Sequence, residues 1–408
     1  MKIILINKFH YRRGGAETYY FDLGEVLAQH GHEVHYFSMD DKQNEPAIDE
    51  KYFVSHQEYV GAKTPLEKIR ALSKTIYSNE AKQKLEKMII DIKPDLIHIN
   101  NYHRQLSCSI FDAAKELRVP VIMTAHDATN ICPQIYMHYQ ECCTQCSTGK
   151  YYHCLLGRCI KGSLSMSLAG TIEGYVSKFK QVYDKIDCLI VPSGYIADVY
   201  EKDGFDKKKI RVMHNAKRIN KINVESWPER KYMIFFGRLS REKGIITLLQ
   251  AITKINTIPI YIVGEGPEES NIKNFIAEHR LSEKVKLIGY KNGHELTDLI
   301  FGSRFAVIPS QTPENCPYGV IEAFACGVPV VGSALGGIPE LITEGETGWT
   351  FSAGDVQALA SVLKMAESKA PMLYGNCYRT ACEQFSMEHY CEKVVHAYEE
   401  VIKNYGVQ

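Results

Sequence analysis

Residues 313–342 read PENCPYGVIEAFACGVPVVGSALGGIPELI. Pro313 and Pro317 bracket a loop that carries Glu314, and the apolar pattern from Tyr318 onward predicts a helix with Glu322 near its start. The two carboxylates stand eight residues apart, one on the loop and one on the helix. A short apolar strand over 328–331 follows, and then a second Gly-rich turn at Gly336 and Gly337. Such a loop–helix–strand–loop unit can hold both ends of an elongated polar ligand. A carboxylate accepts paired hydrogen bonds from vicinal hydroxyls, and amides at the helix start, from about Gly319, suit an anionic part of the same ligand. Two glutamates at one spacing also recur by chance. The loop context is what favours a binding role.

The same alternation of apolar runs and amphipathic segments extends along the whole chain. Strands are predicted at 2–6, 33–37, 96–99, 119–124 and 188–191, and again at 233–236, 260–263, 285–288, 305–308 and 328–331. Helical patterns fill most intervals, the signature of β-α-β units in parallel sheets. A Gly-rich turn follows the first strand of each half, at Gly14-Gly15 and around Gly237. The fold class is therefore α/β, with two Rossmann-like, doubly wound domains over 1–215 and 216–386. The pattern breaks in 214–230, where Asn, Pro and charges accumulate. Ligands of such sheets bind outside the carboxyl ends of the strands, so a cleft between facing domains is the expected site. A last amphipathic segment, 387–408, sets Val394, Val395, Tyr398 and Ile402 on one face. Pattern alone leaves open whether it packs on the second domain or crosses back to the first.

Bulk properties narrow the class. At 408 residues the chain suits two ordinary domains rather than one core. Its 48 Lys and Arg balance 48 Asp and Glu, which argues against nucleic acid as the main ligand. The opening MKIILINKFH holds too short an apolar run for a signal peptide, and no uncharged run reaches membrane-spanning length. A cytoplasmic protein is expected, in which the 13 cysteines stay reduced.

The first strand of the second half runs into GRLSREKG, residues 237–244. Gly237 permits a tight turn, and Arg238 and Lys243 suit a diphosphate: guanidinium binds oxygens in pairs and ammonium adds a compact charge. Arg241 between them reads as solvated surface. In the first half, Gly14, Gly15, Ala16 and Glu17 open a helix whose face runs Tyr20, Leu23, Val26, Leu27. Small residues there let the backbone approach a phosphate, and the free N–H groups favour an anion. Arg12 and Arg13 just upstream are candidates to meet an anionic acceptor, with a disordered exposed pair the equal alternative. Gly264, Gly266 and Pro267 form a turn after another strand. His126 follows the strand 119–124 and precedes Asp127; a lone histidine at a strand end is more often a structural hydrogen-bonder than catalytic. His98 and His103 are read as structural or acceptor-side.

Together these segments resemble the retaining glycosyltransferases of the GT-B fold, in family 4. Glu314 and Glu322 match the E-x7-E region of that family. RRGGAETYYFDLGEVLAQHGHEVHYFS, PDLIHINNYH, VPVIMTAHD, FFGRLSREKGIITLLQAI and IYIVGEGPEE appear in the family's order, along nearly the whole chain. The resemblance implies transfer of a hexosyl unit from a UDP- or GDP-sugar to a saccharide or lipid-linked saccharide, with retention of configuration, in bacterial surface-polysaccharide assembly. It assigns Arg238 and Lys243 to the donor diphosphate and its leaving group, and His126 to the approach of the transferred sugar. Glu314 would grip that sugar's hydroxyls and Glu322 the ribose. The stretch Asn315, Cys316, Pro317, Tyr318, Gly319, Val320 would contact sugar and phosphate, and Gly14, Gly15, Gly237 and Gly264 would lie close to the donor. Catalysis would need no cofactor and no divalent ion. Two other readings share the donor site: a sugar-nucleotide epimerase of related architecture, and a catalytically silent sugar-nucleotide-binding subunit.

Two features lie outside that core. ICPQIYMHYQECCTQCSTGKYYHCLLGRC, within about 131–160, is a Cys-rich insertion similar to one in a branch of the family. Cys143-x2-Cys146 and Cys154-x4-Cys159 offer four thiolates for a structural zinc, with free thiols the equal alternative; Cys132, Cys142 and His153 are spare ligands. Peripheral membrane contact is the second expectation. The segment 61–93 holds eight Lys and Arg against four Asp and Glu, with Leu66, Ile69, Leu72 and Ile76 at helical spacing. Residues 161–185 form a milder basic amphipathic candidate, the alternative for both being a helix packed on its own sheet.

Overall fold

The computed structural model describes residues 1–56, 75–134, 143–222 and 227–406. Leu66, Ile69, Leu72 and Cys142 lie outside them. The chain divides into two compact units, Met1–Met213 with Tyr390–Gln408, and His214–His389.

The first unit is a six-stranded parallel sheet of β1 (Lys2–Ile6), β2 (Glu33–Phe37), β3 (Leu96–Ile99), β4 (Val121–Thr124), β5 (Cys188–Val191) and β6 (Ile210–Val212). Their spatial order is β2-β1-β3-β4-β5-β6. Helices α1 (Gly15–Gln29), α2 (Asn79–Ile92), α3 (Ser109–Glu116), α4 (Tyr152–Leu156), α5 (Leu164–Phe179) and α6 (Gly194–Asp203) connect them. Burial on both faces explains the continuous apolar strands: Ile3, Ile4, Leu5 and Ile6 are fully enclosed. Side-chain caps set helix starts, Ser78 Oγ accepting from Ala81 N–H and Ser193 Oγ from Ile196 N–H. The predicted strand at 119–124 begins only at Val121, because Pro120 has no N–H for the ladder; its carbonyl accepts from Ile97 instead.

The second unit is also a six-stranded parallel sheet, of β7 (Tyr232–Phe236), β8 (Ile260–Val263), β9 (Val285–Gly289), β10 (Ser303–Ile308), β11 (Val330–Ser333) and β12 (Gly348–Phe351). Its order, β9-β8-β7-β10-β11-β12, is the dinucleotide-fold order 3-2-1-4-5-6, with the topological switch point between β7 and β10. The corresponding switch in the first sheet lies between β1 and β3. The helices are α7 (Ile245–Thr253), α8 (Glu269–Glu278), α9 (Gly293–Phe301), α10 (Tyr318–Ala325), α11 (Ile338–Leu341), α12 (Val356–Lys369) and α13 (Tyr374–Gln384).

The last helix, α14 (Met387–Tyr405), starts in the second unit and enters the first at Tyr390. Its buried side is Tyr390, Val394, Ala397, Tyr398 and Val401. Val395 and Ile402, expected on that face, are only half-buried. Hydrogen bonds hold this helix within the first unit: Tyr398 Oη lies 2.5 Å from His98 Nδ1 on β3, and Tyr390 Oη 2.9 Å from Tyr19 Oη on α1. No helix among the described residues is long and apolar enough to cross a membrane.

Candidate functional site

In the second unit, the loops after β7 and β10 are neighbours because their strands pair at the switch point. The β7 loop (237–244) carries Arg238 and Lys243, and the β10 loop (309–317) carries Glu314. Gly244 adopts φ +71°, and a Cβ there would collide with the Pro309 carbonyl. Only glycine lets the two loops close to this distance. Gln311 N–H then donates to Glu242 O at 2.7 Å. The outcome is that Lys243 Nζ donates to Glu314 Oε2 at 2.8 Å. Ser310 Oγ donates to the other oxygen, Oε1. Behind the carboxylate, Gly336 at φ +62° lies against the Glu314 backbone, and Gly337 N–H donates to Glu314 O at 2.7 Å.

Arg238 is exposed and its side chain makes no hydrogen bond or ion pair among the described residues, so its guanidinium is available to a ligand. Arg241 is likewise exposed. The helix α10 starts behind Pro317 without a side-chain cap. Gly319 at its first turn packs against Ile308 and Phe236, so the helix start lies directly over the ends of β10 and β7. Glu322 is half-buried on this helix and accepts from Lys217 Nζ at 2.5 Å. Asn215 fastens the preceding loop, its Nδ2 donating to Cys316 O at 2.8 Å. Thus Arg238, Lys243, Glu314, the 315–320 stretch and Glu322 share one edge of one sheet. Gly264 belongs there too: it packs on Gly237 O, and Gly237 N–H donates to Val263 O at 3.0 Å.

Lys217 and Ser310 escaped sequence reading. Neither lies in a recognisable motif, and Lys217 meets its partner from 105 residues away. Arg230 also escaped it. This buried arginine is caged by the rings of Tyr374, Trp227 and Phe301 at 4.1, 4.9 and 5.1 Å. It donates to the Cys326 and Gly327 carbonyls at 2.9 and 2.8 Å, tying the end of α10 in place.

In the first unit, Gly14 is the N-cap of α1 and supplies no side chain. Glu17 is buried in that first turn. His126 follows β4, its Nε2 3.2 Å from Asn100 Oδ1 and its ring edge-on to Tyr19 at 4.9 Å. Burial lowers its pKa to about 4, against the opposing pull of Asp127, so the imidazole is neutral at pH 7. His98 is structural: fully buried between Thr124 and Tyr398, it is held by burial down at about 3. His103 stacks on Tyr102 and faces Glu173. Of the arginine pair expected to meet an acceptor, Arg12 is engaged by Asp22 and Glu45 at 3.2 and 3.5 Å. Arg13 lies over the Phe9 ring. Lys8, just past β1, is a further cation that the reading passed over. Burial lowers its pKa against the pull of Asp127 and Glu17.

Cys146 and Cys154 are buried with Tyr151 and Ile160 in a small cluster against which Cys159 packs; Cys132 is also buried and Cys143 half-buried. Among the described residues, no group of three or more His, Cys, Asp or Glu side chains stands in metal-binding geometry.

The sequence matches the family described as Glycosyltransferase Family 4 over residues 13–216 and that described as Glycosyl transferases group 1 over 217–378. A protein of Klebsiella pneumoniae named as a 42.6 kDa product of the cps region is 27% identical over 356 residues, covering 84% of this chain and 87% of that one. The putative colanic acid biosynthesis glycosyltransferase WcaL of Salmonella typhimurium is 26% identical over 212 residues, 49% of this chain and 52% of its own. The amylovoran biosynthesis glycosyltransferase AmsK of Erwinia amylovora is 33% identical over 183 residues, 42% and 45%. The chain spans about half the length of these last two relatives. Among solved structures, Anabaena HepE in complex with UDP superposes with a TM-score of 0.71 at 17% identity, covering 98% of this chain and 100% of that one. The lipopolysaccharide outer core galactosyltransferase WaaB in its apo form gives 0.69 at 16%, covering 98% and 99%. With both halves matched by family and the architecture matched throughout, this chain belongs to the family 4 glycosyltransferases of the GT-B fold.

Proposed function

We propose that this transferase moves a hexosyl unit from a nucleoside-diphosphate sugar to a saccharide or lipid-linked saccharide acceptor, with retention of configuration, in surface-polysaccharide assembly. One observation carries the reading: the Lys243 ammonium and the Glu314 carboxylate meet at 2.8 Å beside the switch point of the second sheet. A cation for phosphate and an acceptor for sugar hydroxyls, one hydrogen bond apart, match the two sides of a sugar–phosphate bond. Among the structural neighbours, HepE has been solved with UDP and with UDP-glucose, which supports a uridine nucleotide as the donor to try first. The names of WcaL and AmsK support polysaccharide assembly as the setting.

In this reading the donor takes over contacts that the protein now makes with itself. Lys243 turns from Glu314 to the diphosphate, joined by Arg238 and the uncapped amides of α10. Glu322 exchanges Lys217 for ribose hydroxyls. As the bond from the anomeric carbon to the β-phosphate oxygen breaks, negative charge builds on that oxygen, and cations fixed beside it lower the barrier. The acceptor hydroxyl attacks from the same face and passes its proton to the departing phosphate, so no protein nucleophile is required. Glu314 suits binding better than attack: Ser310 Oγ keeps one of its oxygens, and the other, freed when Lys243 turns away, can accept from a sugar hydroxyl.

The test is nucleotide release and product formation from UDP-, GDP- and ADP-sugars, with thermal stabilisation as an independent measure of binding. Lys243→Ala and Glu314→Ala should each abolish transfer with little change in Tm. Wild-type turnover in either variant would defeat the assignment.

A further inference from the structure

The helix α5 is built inside out. Its inward side is small: Ser167, Gly170, Thr171 and Gly174 lie against Tyr151 and Ile160, with the Tyr151 ring filling the notch at Gly174 and Ile160 the one at Gly170. Ser167 Oγ accepts from Ile160 N–H at 3.0 Å, and Thr171 Oγ1 donates to Tyr151 O at 3.1 Å. Four large apolar residues point outward, while Ile172 and Val176 are half-buried. Leu164, Leu168, Tyr175 and Phe179 are exposed. At 3.6 residues per turn they fall within about 60° of one another around the helix. Leu156, from the adjoining α4, is 74% exposed and Phe179 is 85% exposed. Of twelve large apolar side chains exposed among the described residues, seven lie between Tyr152 and Phe179. A cluster this dense marks a docking surface rather than scattered exposure.

The charge around the stripe identifies the occupant. Residues 143–180 contain five Lys and Arg against one carboxylate, Glu173, in a chain that is neutral overall. Glu173 is already engaged by the Arg104 N–H and by His103. Lys180 is paired with Asp112, and Lys178 is bonded to the Thr148 carbonyl. Lys150, Arg158 and Lys161 are exposed and have no ion-pair partner among the described residues. An apolar stripe on a segment that also carries exposed, unpaired cations is complementary to acyl chains beneath anionic headgroups. The other basic segment, within 61–93, does not offer this arrangement where it is described: α2 turns Ala81, Leu85 and Met88 inward, and its Lys82 and Lys84 are paired with Glu116 and Glu80.

We propose that the α4–α5 face of the first unit docks on an anionic lipid bilayer. The stripe enters the headgroup boundary while Lys150, Arg158 and Lys161 meet lipid phosphates. This inference stands on surface geometry and is independent of the transferase reading. It is tested by co-sedimentation of the full chain with vesicles of phosphatidylcholine alone and of phosphatidylcholine with phosphatidylglycerol. The expected result is binding to the anionic vesicles only, weakened by salt. Charge reversal of Arg158 and Lys161 to Glu should reduce it by about fivefold per site, and Leu168→Glu with Phe179→Glu by tenfold or more. All four positions are exposed, and an unchanged Tm confirms the fold of each variant. Equal binding to both vesicle types, no binding to either, or variants that sediment like wild type would overturn the proposal. So would a dimer in light scattering that dissociates on Phe179→Glu, because the stripe would then be covered by a second copy.

Discussion

Acidification should loosen the first unit before the second, through histidines that are buried in their neutral form. Burial lowers His98 to about 3 and both His10 and His126 to about 4, from an unperturbed value near 6.5 in the unfolded chain. All three lie in the first unit. Between pH 6.5 and 4 the unfolded chain therefore binds more protons than the native one, and native stability falls as pH drops through that window. From pH 7 to pH 5 the loss is about 2 kcal/mol for each of His98 and His10. It is smaller for His126, which keeps some contact with solvent. A total of roughly 4–6 kcal/mol rivals the whole stability of an ordinary domain. Asp187 and Asp203, raised by burial, act in the opposite sense and soften the loss. The assay is urea unfolding at pH 7 and pH 5, with hydrogen exchange following the first unit. Both tryptophans, Trp227 and Trp349, lie in the second unit, so their fluorescence supplies the control. His98→Gln keeps hydrogen-bonding groups for Thr124 and Tyr398 but cannot titrate. It should start less stable at pH 7 yet lose about 2 kcal/mol less on reaching pH 5. A pH loss in the first unit below about 1 kcal/mol, or one that His98→Gln leaves unchanged, would refute the reasoning.

Three further outcomes follow from the second unit. Gly244→Val places a branched side chain at φ +71° and against the Pro309 carbonyl; transfer should be lost along with about 3 kcal/mol or more of stability, and a variant with wild-type activity would contradict the loop contact. Arg230→Ala removes two charged hydrogen bonds and three ring contacts, and should cost about 3–5 kcal/mol in tryptophan-monitored unfolding. Arg230→Lys should restore little of this, since an ammonium cannot fork between the Cys326 and Gly327 carbonyls. Glu322→Ala should raise the donor KM more than it lowers kcat, in keeping with a hold on the ribose; an unchanged KM would remove that role.

Most of the sheet architecture was legible because strands buried on both faces are continuous apolar runs. The two strands that escaped, β6 and β12, each lie at a sheet edge, whereas the opposite edges, β2 and β9, were predicted. β6 offers Ile210, Arg211 and Val212, half-buried to exposed, right after three lysines, and β12 opens on a glycine. With one neighbour and so little apolar content, these two edges carry little periodic signal. β11 sits two residues later than predicted because Pro329 cannot donate to a ladder, although its carbonyl accepts from Ala306.

The motif residues converge for a reason that is topological rather than local. Lys243 and Glu314 are 71 residues apart, too far for any pattern to pair them. In the order β9-β8-β7-β10-β11-β12 the chain reverses direction of growth at β7. The fourth strand of this sheet is thereby laid beside its first, and the loops after β7 and β10 open side by side without a connection covering the gap between them. Gly244 then removes the side chain that would hold the loops apart, and a cation and a carboxylate come within one hydrogen bond. Each residue is ordinary where it stands; the candidate site exists because strand order brings the two loops together and a missing Cβ lets them close.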